Sequence, residues 1–304
     1  MNRRTFLKAA GVAATAGVAG LGDLRSAAAD DAKGAPHADK LGWRLGCQAW
    51  TFNRGSFYEA MDQTAALGLH FIEAYPGQRL KPGAAAEPTE KGKGRGRGNA
   101  ADSMGPQLSA DLRKEALKRL ADKGVRLVNF GVGPANRQAF DFAKDMGIET
   151  LVSEPPFDAF DELDKLCEEY KINVALHDHP KPSRYWSPDI VLKACKGHSK
   201  RIGACCDTGH WMRSDLKPVE AVKKLEGRVI SFHVKDLNEY GKKAHDVPWG
   251  TGKADVKGIL REVQRQAIKP VFSVEYEYHF GHSMPEIVQC VDYFNKVAGE
   301  LARG

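Results

Sequence analysis

Eight short apolar runs, rich in β-branched residues, recur along the chain and alternate with amphipathic segments of helical length. Apolar positions in the intervening segments are spaced three and four residues apart, which is the pattern of a helix with one buried face. A parallel sheet whose strands are joined by helices accommodates such an alternation, and eight strands in one α/β domain predict a closed (β/α)₈ TIM barrel. The predicted strands are 44–50, 70–75, 125–132, 148–154, 172–177, 201–207, 228–234 and 269–276.

Glycines between the helical segments and the strands support this assignment. Gly68, Gly124, Gly147 and Gly227 each come just after a predicted helix, and a predicted strand begins within a few residues. The residue that ends a helix often adopts a left-handed backbone, which glycine tolerates because it has no Cβ. The turn chemistry therefore agrees with the predicted order of strands and helices.

The first 29 residues are typical of an export signal and not of a barrel. Arg3 and Arg4 precede an apolar stretch at 9–21, and small residues at 27–29 offer a cleavage site. This is the pattern of a twin-arginine signal peptide, and the stretch is shorter than the about 20 apolar residues of a membrane span. We predict a signal peptide at 1–29, a polar linker at 30–40 and one catalytic domain at 41–304, located in the periplasm or secreted.

The charge balance argues against several classes of partner. The chain has 304 residues and a formal charge of +6. Removal of the signal peptide takes away four basic residues and one acid, so the charge falls to +3. A nearly balanced protein offers neither a nucleic-acid groove nor a membrane-surface patch. We expect no nucleic-acid partner and no membrane anchor. Assembly into a homo-oligomer stays an open alternative.

One segment, 78–105, interrupts the alternation with a low-complexity sequence rich in glycine, lysine and arginine. It follows the second predicted strand, so it leaves the barrel at the rim where active sites of this fold lie. A basic lid over an anionic ligand is one interpretation. A disordered, solvated insertion is the favoured one, because the segment has no apolar periodicity.

Four of the predicted strands carry an acid or a histidine at or near their carboxyl ends: Glu154, Asp207, His233 and Glu275. Side chains at these ends point into one shared bowl of a barrel, so residues far apart in sequence can meet there. Three carboxylates and one imidazole predict a site for one divalent metal ion, with Mn²⁺ preferred and Mg²⁺, Co²⁺ or Zn²⁺ as alternatives. Glu277 faces the same side as Glu275 and is the alternative ligand on the last strand.

Further polar residues are expected around the same rim as contacts for substrate. Strand alternation puts His177 and His179 on one face, where they can bind substrate hydroxyls, with metal ligation as a weaker alternative. His210 and Lys235 follow the predicted ligands closely in sequence. Glu73 ends the second strand, where substrate contact and pairing with a neighbouring barrel residue are equally open.

At these residues the chain resembles the xylose-isomerase-like barrel superfamily, the sugar phosphate isomerase/epimerase group. The segments that carry the resemblance are His-Asp-His-Pro at 177–180, Cys-Asp-Thr-Gly-His-Trp at 206–211, His-Val-Lys-Asp at 233–236, Val-Pro-Trp-Gly-Thr-Gly at 247–252 and Ser-Val-Glu-Tyr-Glu at 273–277. The resemblance implies that Glu154, Asp207, His233 and Glu275 bind the metal ion. It also implies that the two glutamates act as acid and base and that His210 binds substrate.

The function expected from this combination is a metal-dependent sugar isomerase or epimerase that removes a proton next to a carbonyl and passes through an ene-diolate. The partner is a small-molecule sugar or keto sugar. A lyase acting by β-elimination on 3-keto sugars or glycosides is the alternative, because the same intermediate expels a β leaving group. A non-catalytic sugar-binding barrel and an endonuclease-IV-like nuclease are less favoured, since the ligands are retained and the charge offers no phosphate-binding stripe.

Overall fold

Eight parallel strands close into a barrel in chain order, with the last strand paired to the first. The structure is a computed structural model that describes residues 34–83 and 100–303. Each observed strand lies within its predicted run, so the predicted (β/α)₈ barrel is confirmed. The strands are β1 (Arg44–Gln48), β2 (Phe71–Ala74), β3 (Arg126–Phe130), β4 (Thr150–Ser153), β5 (Asn173–His177), β6 (Ile202–Asp207), β7 (Val229–Val234) and β8 (Val271–Val274).

Helices surround the barrel, and their ends carry local signals. In the helix that precedes β2, Ser56 and Glu59 form a reciprocal capping box. The helix before β4 ends at Gly147, whose φ of 70° is left-handed. Among the described residues the α-helices are α1 (Pro36–Lys40), α2 (Phe57–Ala66), α3 (Ala110–Asp122), α4 (Arg137–Met146), α5 (Phe160–Tyr170), α6 (Pro188–Ala194), α7 (Thr208–Arg213), α8 (Pro218–Lys224), α9 (Val256–Arg265) and α10 (Met284–Leu301).

The core has two parts, one inside the barrel and one between the strands and the helices. Inside lies a small cluster of Val152, Ala175 and Cys205. Outside, aromatic rings join strands to helices, and Phe272 of β8 stacks on Phe232 of β7 and contacts Phe294 of α10. Because both faces of each strand are covered, the strands are almost continuously buried.

The chain before β1 differs in part from the expectation. Residues 36–40, within the predicted linker, form α1, and Ala38 is buried. The backbone N–H of His37 donates to Asn295 on α10 at 2.9 Å. The part of 30–40 that the structure describes is therefore packed on the barrel. The predicted signal peptide at 1–29 lies outside the described residues, among which no helix is long and apolar enough to cross a membrane.

The predicted insertion at 78–105 has ordered ends. The N–H of Leu80 donates to Asp102 at 2.9 Å, and the N–H of Met104 donates to Gln78 at 2.7 Å. Leu80 and Met104 are buried. These contacts close the base of the insertion, so its ends belong to the packed structure. Residues 84–99, which contain the Gly/Lys/Arg repeat, lie outside the described residues.

Candidate metal centre

Four buried side chains meet at the carboxyl ends of β5 to β8, and we call them the inner group: His177, Asp207, His233 and Glu275. One ligand atom from each lies within 4.8 Å of the others. Strand register accounts for this, because Asp207 pairs with His233 across β6 and β7. Glu275 directly follows β8, which pairs with β7. Three of the four predicted metal ligands are therefore adjacent, with His177 as the fourth member.

The remaining predicted ligand, Glu154, lies in a second cluster, the outer group of Glu154, His177 and His179. Glu154 Oε1 is 3.3 Å from His177 Nδ1 and also contacts His179 Nδ1. His177 belongs to both groups, since its Nε2 is 3.6 Å from Asp207 Oδ2. Burial alone would raise the pKa of Glu154, but hydrogen bonds from the two histidines hold that pKa below its usual range.

His233 is held in an orientation that suits a metal ligand. Its Nε2 lies 2.8 Å from Glu73 Oε1, and its Nδ1 lies 3.1 Å from Glu275 Oε2. Burial would lower the pKa of His233, but the charges of the carboxylates around it raise that pKa well above its usual range. The Glu73 carboxylate keeps a proton on Nε2, so an ion can replace the proton on Nδ1, as at many metal-bound histidines. The inner group, in which two carboxylates and the Nδ1 of His233 converge, therefore fits a divalent ion.

Glu73 takes the second of its two expected roles. Its carboxylate is fully buried and also accepts from Gln48 Nε2 at 3.0 Å and from Ser273 Oγ at 3.0 Å. Because these bonds and the one to His233 fix it inside the barrel, Glu73 orients a candidate ligand and does not contact the cavity. Glu73 therefore takes the pairing role in this structure, and its contact with substrate stays a prediction.

Lys235 is likewise buried, where the sequence predicted a contact with substrate. Its Nζ is 2.5 Å from Asp207 Oδ2, 2.5 Å from Glu275 Oε2 and 3.3 Å from Glu277 Oε2. The side chain is completely excluded from solvent. Its backbone N–H donates to the hydroxyl of Thr208, the residue after Asp207, at 2.8 Å. Lys235 is thus an internal cation beside the inner group.

These contacts fix the charges of the metal-free site. Burial would raise the pKa of Asp207, but the charge of Lys235 and a hydrogen bond from His177 lower it well below its usual range. Burial would also raise the pKa of Glu275, and the charges of Lys235 and His233 lower it. The same carboxylates raise the pKa of Lys235 against the effect of its burial. Both carboxylates are therefore ionised at neutral pH, ready for a cation.

A cavity of about 320 Å³ opens directly above the inner group. The predicted substrate residues His177, His179 and His210 line it, together with Glu275 and Glu277. Asp207 caps α7 by accepting from the backbone N–H of His210 at 2.8 Å, which sets the imidazole at the cavity wall. Burial lowers the pKa of His210 well below its usual value, so this imidazole is neutral at pH 7.

Aromatic side chains form the opposite wall of the cavity. Trp50 and Tyr75 line it and meet edge to face with centroids 5.0 Å apart. The Trp50 indole donates to Glu277 Oε1 at 3.0 Å, and Arg213 lies 3.5 Å from Glu277 Oε2. Glu277, the alternative ligand on the last strand, is thus occupied by contacts at the rim, whereas Glu275 belongs to the inner group.

Asp236, which its position after His233 places at the rim with no specific partner, organises the loop after β7. Its carboxylate accepts from the backbone N–H groups of Gly250 at 2.8 Å, Gly252 at 3.0 Å and Ala254 at 2.9 Å. A Cβ at Gly252 would lie 2.3 Å from Asp236 Oδ1, so a larger residue does not fit. The glycines of this loop therefore bind an internal carboxylate. In the sequence, an acid two residues after a strand and shortly before a glycine-bearing loop was the signal for this anchoring role.

Comparison with known proteins agrees with this architecture. Residues 61–296 match the model of the xylose isomerase-like TIM barrel family. A curated relative, the uncharacterised protein y4fM of Sinorhizobium fredii, is 25% identical over 116 residues, which are 38% of this chain. The matched part is 37% of that relative, so the chain spans little more than a third of its length.

Solved structures match over nearly their whole length. An uncharacterised protein from Parabacteroides distasonis is 30% identical, with 84% of this chain and 99% of that one covered and a TM-score of 0.63. A D-tagatose 3-epimerase-like protein is 17% identical over 85% of this chain and 99% of its own, with a TM-score of 0.63. A barrel protein from Mycobacterium smegmatis in complex with magnesium is 13% identical, with 86% of this chain and 99% of that one covered and a TM-score of 0.65. The last two likenesses concern the fold alone.

Proposed function

Because this chain belongs to the xylose isomerase-like TIM barrel family, we propose that it is a metal-dependent sugar isomerase or epimerase. The observation that carries the proposal is the inner group at the floor of a polar cavity, where two ionised carboxylates and the Nδ1 of His233 converge. Such a site can hold a divalent ion next to a small, hydroxyl-rich ligand. The predicted export signal supports the further proposal that the enzyme acts outside the cytoplasm.

Asp207, His233 and Glu275 would hold one divalent ion, with Glu154 or His177 completing the set. The oxygen-rich donors favour Mn²⁺, with Mg²⁺, Co²⁺ and Zn²⁺ as alternatives. When bound, the ion supplies positive charge that stabilises the negative charge developing on the sugar oxygens. Glu73 holds the imidazole of His233 in place for this purpose, since a carboxylate on the second nitrogen fixes both tautomer and ring orientation.

Glu154 and Glu275 are the proposed acid and base. They follow β4 and β8, which are on opposite sides of the barrel, so they can approach a bound sugar from different directions. Glu154 uses Oε1 to contact both histidines, and Glu275 uses Oε2 to contact His233 and Lys235. The second oxygen of each carboxylate is assigned the proton. One glutamate removes the proton next to the carbonyl and becomes a carboxylic acid. A proton from water, relayed by the other glutamate, is then added to the opposite face or the neighbouring carbon, and the first glutamate loses its proton to solvent.

The size and the lining of the cavity favour a small sugar as the ligand. The cavity volume of about 320 Å³ is at the low end for small-molecule sites, which are roughly 300–1,000 Å³. His179 and His210 offer ring nitrogens to hydroxyl groups, and the rings of Trp50 and Tyr75 offer apolar surface to the C–H groups of a sugar. We assign substrate orientation to these four side chains.

The test is incubation of metal-loaded protein with free keto sugars and 3-keto glycosides in D₂O, followed by mass spectrometry and product separation. An isomerase or epimerase gives a product that has gained one deuterium and is otherwise unchanged in mass. Release of an aglycone would instead assign the protein to the lyases, because the same proton removal then expels a β substituent. The proposal fails if no substrate gains deuterium with Mn²⁺, Mg²⁺, Co²⁺ or Zn²⁺ while chelator-treated protein behaves identically.

A further inference from the structure

Arg213 ends α7 beside the cavity, and 15% of its side chain is exposed. We propose that Arg213 is a positioning residue, which keeps the imidazole of His210 neutral with its one proton on Nε2. His210 then meets the substrate as a hydrogen-bond donor. The role of this donor in the reaction rests on the proposed function, whereas the position of the proton follows from contacts within the protein.

The helix α7 places the two side chains on one face. It spans Thr208–Arg213, and residues three apart on a helix are neighbours. The backbone N–H of His210 donates to Asp207 Oδ1 at 2.8 Å, and its carbonyl accepts from Ser214 Oγ at 2.9 Å. Arg213 Nη1 lies 3.2 Å from His210 Nδ1. The fold therefore sets the guanidinium group and the imidazole side by side.

The chemistry of the two groups fixes the direction of this hydrogen bond. A guanidinium group has five N–H donors, has no acceptor and does not lose its charge in a protein. His210 Nδ1 must therefore accept. An imidazole whose Nδ1 is an acceptor is neutral and has its N–H on Nε2. The contact with Arg213 thus excludes both the other tautomer and the imidazolium form.

Two carboxylates hold the guanidinium group at this position. Asp246 Oδ2 accepts from Arg213 Nη2 at 3.3 Å, and Glu277 Oε2 is 3.5 Å from Nη1. Asp246 is buried in the loop after β7, and Glu277 follows β8. The planar fork of an arginine can meet partners from several directions at once. Contacts from two parts of the barrel therefore keep this long side chain directed at His210.

The second nitrogen of His210 is left for the ligand. Its Nε2 lies 3.5 Å from Asp207 Oδ2, which is longer than the roughly 2.7–3.2 Å of ordinary N–H···O bonds. The imidazole lines the cavity, with 11% of its side chain exposed. A donor at that wall can bind a carbonyl or alkoxide oxygen of a sugar. It cannot remove a proton, because Arg213 occupies the lone pair on Nδ1.

Such a donor binds more strongly as the proposed reaction proceeds. Removal of the proton next to the carbonyl places negative charge on the carbonyl oxygen as the ene-diolate forms. A hydrogen bond to an oxygen strengthens when that oxygen becomes charged. We therefore assign the Nε2–H of His210 to the oxygen that gains charge, and Arg213 to keeping this N–H in place.

Nitrogen NMR on the full chain measures the position of the proton. The protein is labelled with ¹⁵N-histidine and loaded with Zn²⁺, which is diamagnetic, and His210→Gln identifies the His210 signals by their loss. A ring nitrogen with a lone pair and one with a proton differ widely in chemical shift. We expect a lone pair on Nδ1 and a proton on Nε2 in the wild type. In Arg213→Met, whose side chain cannot donate, the shifts should indicate partial protonation of Nδ1.

The same spectra contain the controls. His198 Nδ1 lies 2.7 Å from Asp164 Oδ2, so it carries a proton, and its signals should be the same in every variant. Arg137→Met removes a guanidinium group whose side chain is 54% exposed on α4 and should leave His210 as in the wild type. Arg213→Lys retains a donor that has no acceptor and should keep the wild-type proton position.

Kinetics separate this positioning role from a purely structural one. Removal of one donor to a developing oxyanion lowers kcat by about 10²–10³-fold. Arg213→Met leaves the imidazole present but no longer fixed, so kcat should fall by part of that loss, at least about tenfold. KM should stay near its wild-type value, because the interaction belongs to the transition state. Arg213→Lys should restore most of kcat.

Three results would overturn the inference. The first is a wild-type His210 with a proton on Nδ1, and the second is wild-type His210 shifts in Arg213→Met. The third is an Arg213→Met protein that has an altered proton position and wild-type kcat, which would exclude the donor from the reaction. Because the NMR measurement needs no substrate, it decides the positioning role even if the proposed isomerase activity is absent.

Discussion

Replacing Lys235 with methionine tests whether an internal cation holds the carboxylates of the inner group together. The ammonium group contacts Asp207 and Glu275 at 2.5 Å each and Glu277 at 3.3 Å, with no exposure to solvent. Removing one partner of a buried ion pair leaves uncompensated charge and destabilises a protein by about 3–5 kcal/mol. We expect a loss of this size in metal-free Lys235→Met protein.

The loss should be visible as a lower melting temperature and should depend on metal. For large domains, each 1 kcal/mol shifts the midpoint by about 2–4 °C, so metal-free Lys235→Met should melt roughly 6–20 °C below the wild type. A divalent ion bound by Asp207 and Glu275 supplies positive charge in place of the ammonium group. The decrease should therefore be smaller when Mn²⁺ or Zn²⁺ is present. Differential scanning calorimetry with chelator and with each ion measures both quantities.

Lys118→Met provides a control with a similar contact in a different environment. Lys118 Nζ lies 2.6 Å from Asp122 Oδ2, but the two side chains are 76% and 58% exposed. Exposed pairs of this kind stabilise a helix by only about 0.3–0.5 kcal/mol, so this variant should melt close to the wild type with or without metal. The reasoning is refuted if metal-free Lys235→Met melts as Lys118→Met does. It is also refuted if a divalent ion leaves the Lys235→Met deficit unchanged.

Three further changes test other parts of the site. Glu73→Gln weakens the contact that orients His233, so metal affinity should fall by roughly 10–100-fold in a chelator-competition assay; an unchanged affinity would contradict the orienting role. Asp236→Ala removes an acceptor whose charge-assisted bonds contribute about 1.5–3 kcal/mol each, so amide hydrogen exchange in the loop 250–254 should accelerate at least about tenfold; unchanged exchange would exclude that anchoring role. Burial raises the pKa of Asp246 to about 7 despite the nearby charge of Lys235, so the folded protein favours the protonated carboxyl group. The contribution of Asp246 to stability is therefore fully present below about pH 4 and is lost as the pH rises through 7. The unfolding free energy of the wild type relative to Asp246→Asn, from denaturant titrations, should fall over that range, and a flat difference would contradict the raised pKa.

The fold could be predicted from local signals because each strand of a parallel barrel is buried on both faces. The apolar runs are longer than the hydrogen-bonded strands they contain. The run 148–154, for example, includes Thr150–Ser153 and then Glu154, which lies beyond the ladder. The apolar run shows which residues are buried, whereas the strand bounds show which residues pair with neighbouring strands. The buried segment and the paired segment end at different residues.

The meeting of Asp207, His233 and Glu275 could also be predicted, because it needs only that consecutive strands end at one rim. The choice between Glu154 and His177 as their fourth neighbour could not. It depends on the stagger of the strands at the rim, where Glu154 lies beyond the end of β4 and His177 is the last residue of β5. A sequence contains no direct record of that stagger.

Long-range partners account for the other differences. Glu73 and His233 are 160 residues apart in sequence, so their hydrogen bond leaves no local pattern. Lys235 follows a candidate ligand closely, which suggested a substrate contact. Its burial beneath three carboxylates became evident only from the packing of β6, β7 and β8. In the same way, the short helix α1 is stabilised by α10, at the far end of the chain.

The proposed proton abstraction by Glu275 is tested most directly by the rate at which Glu275 variants exchange a substrate proton with solvent. Wild type, Glu275→Gln and Glu286→Gln are saturated with the same divalent ion, and deuterium uptake at the carbon next to the carbonyl is followed in D₂O. Glu286 lies on α10 and contacts His279, away from the cavity lining. We predict that Glu286→Gln exchanges at the wild-type rate. At equal metal content, Glu275→Gln should exchange more slowly by a factor of at least about 10². Wild-type exchange by metal-loaded Glu275→Gln would contradict the account.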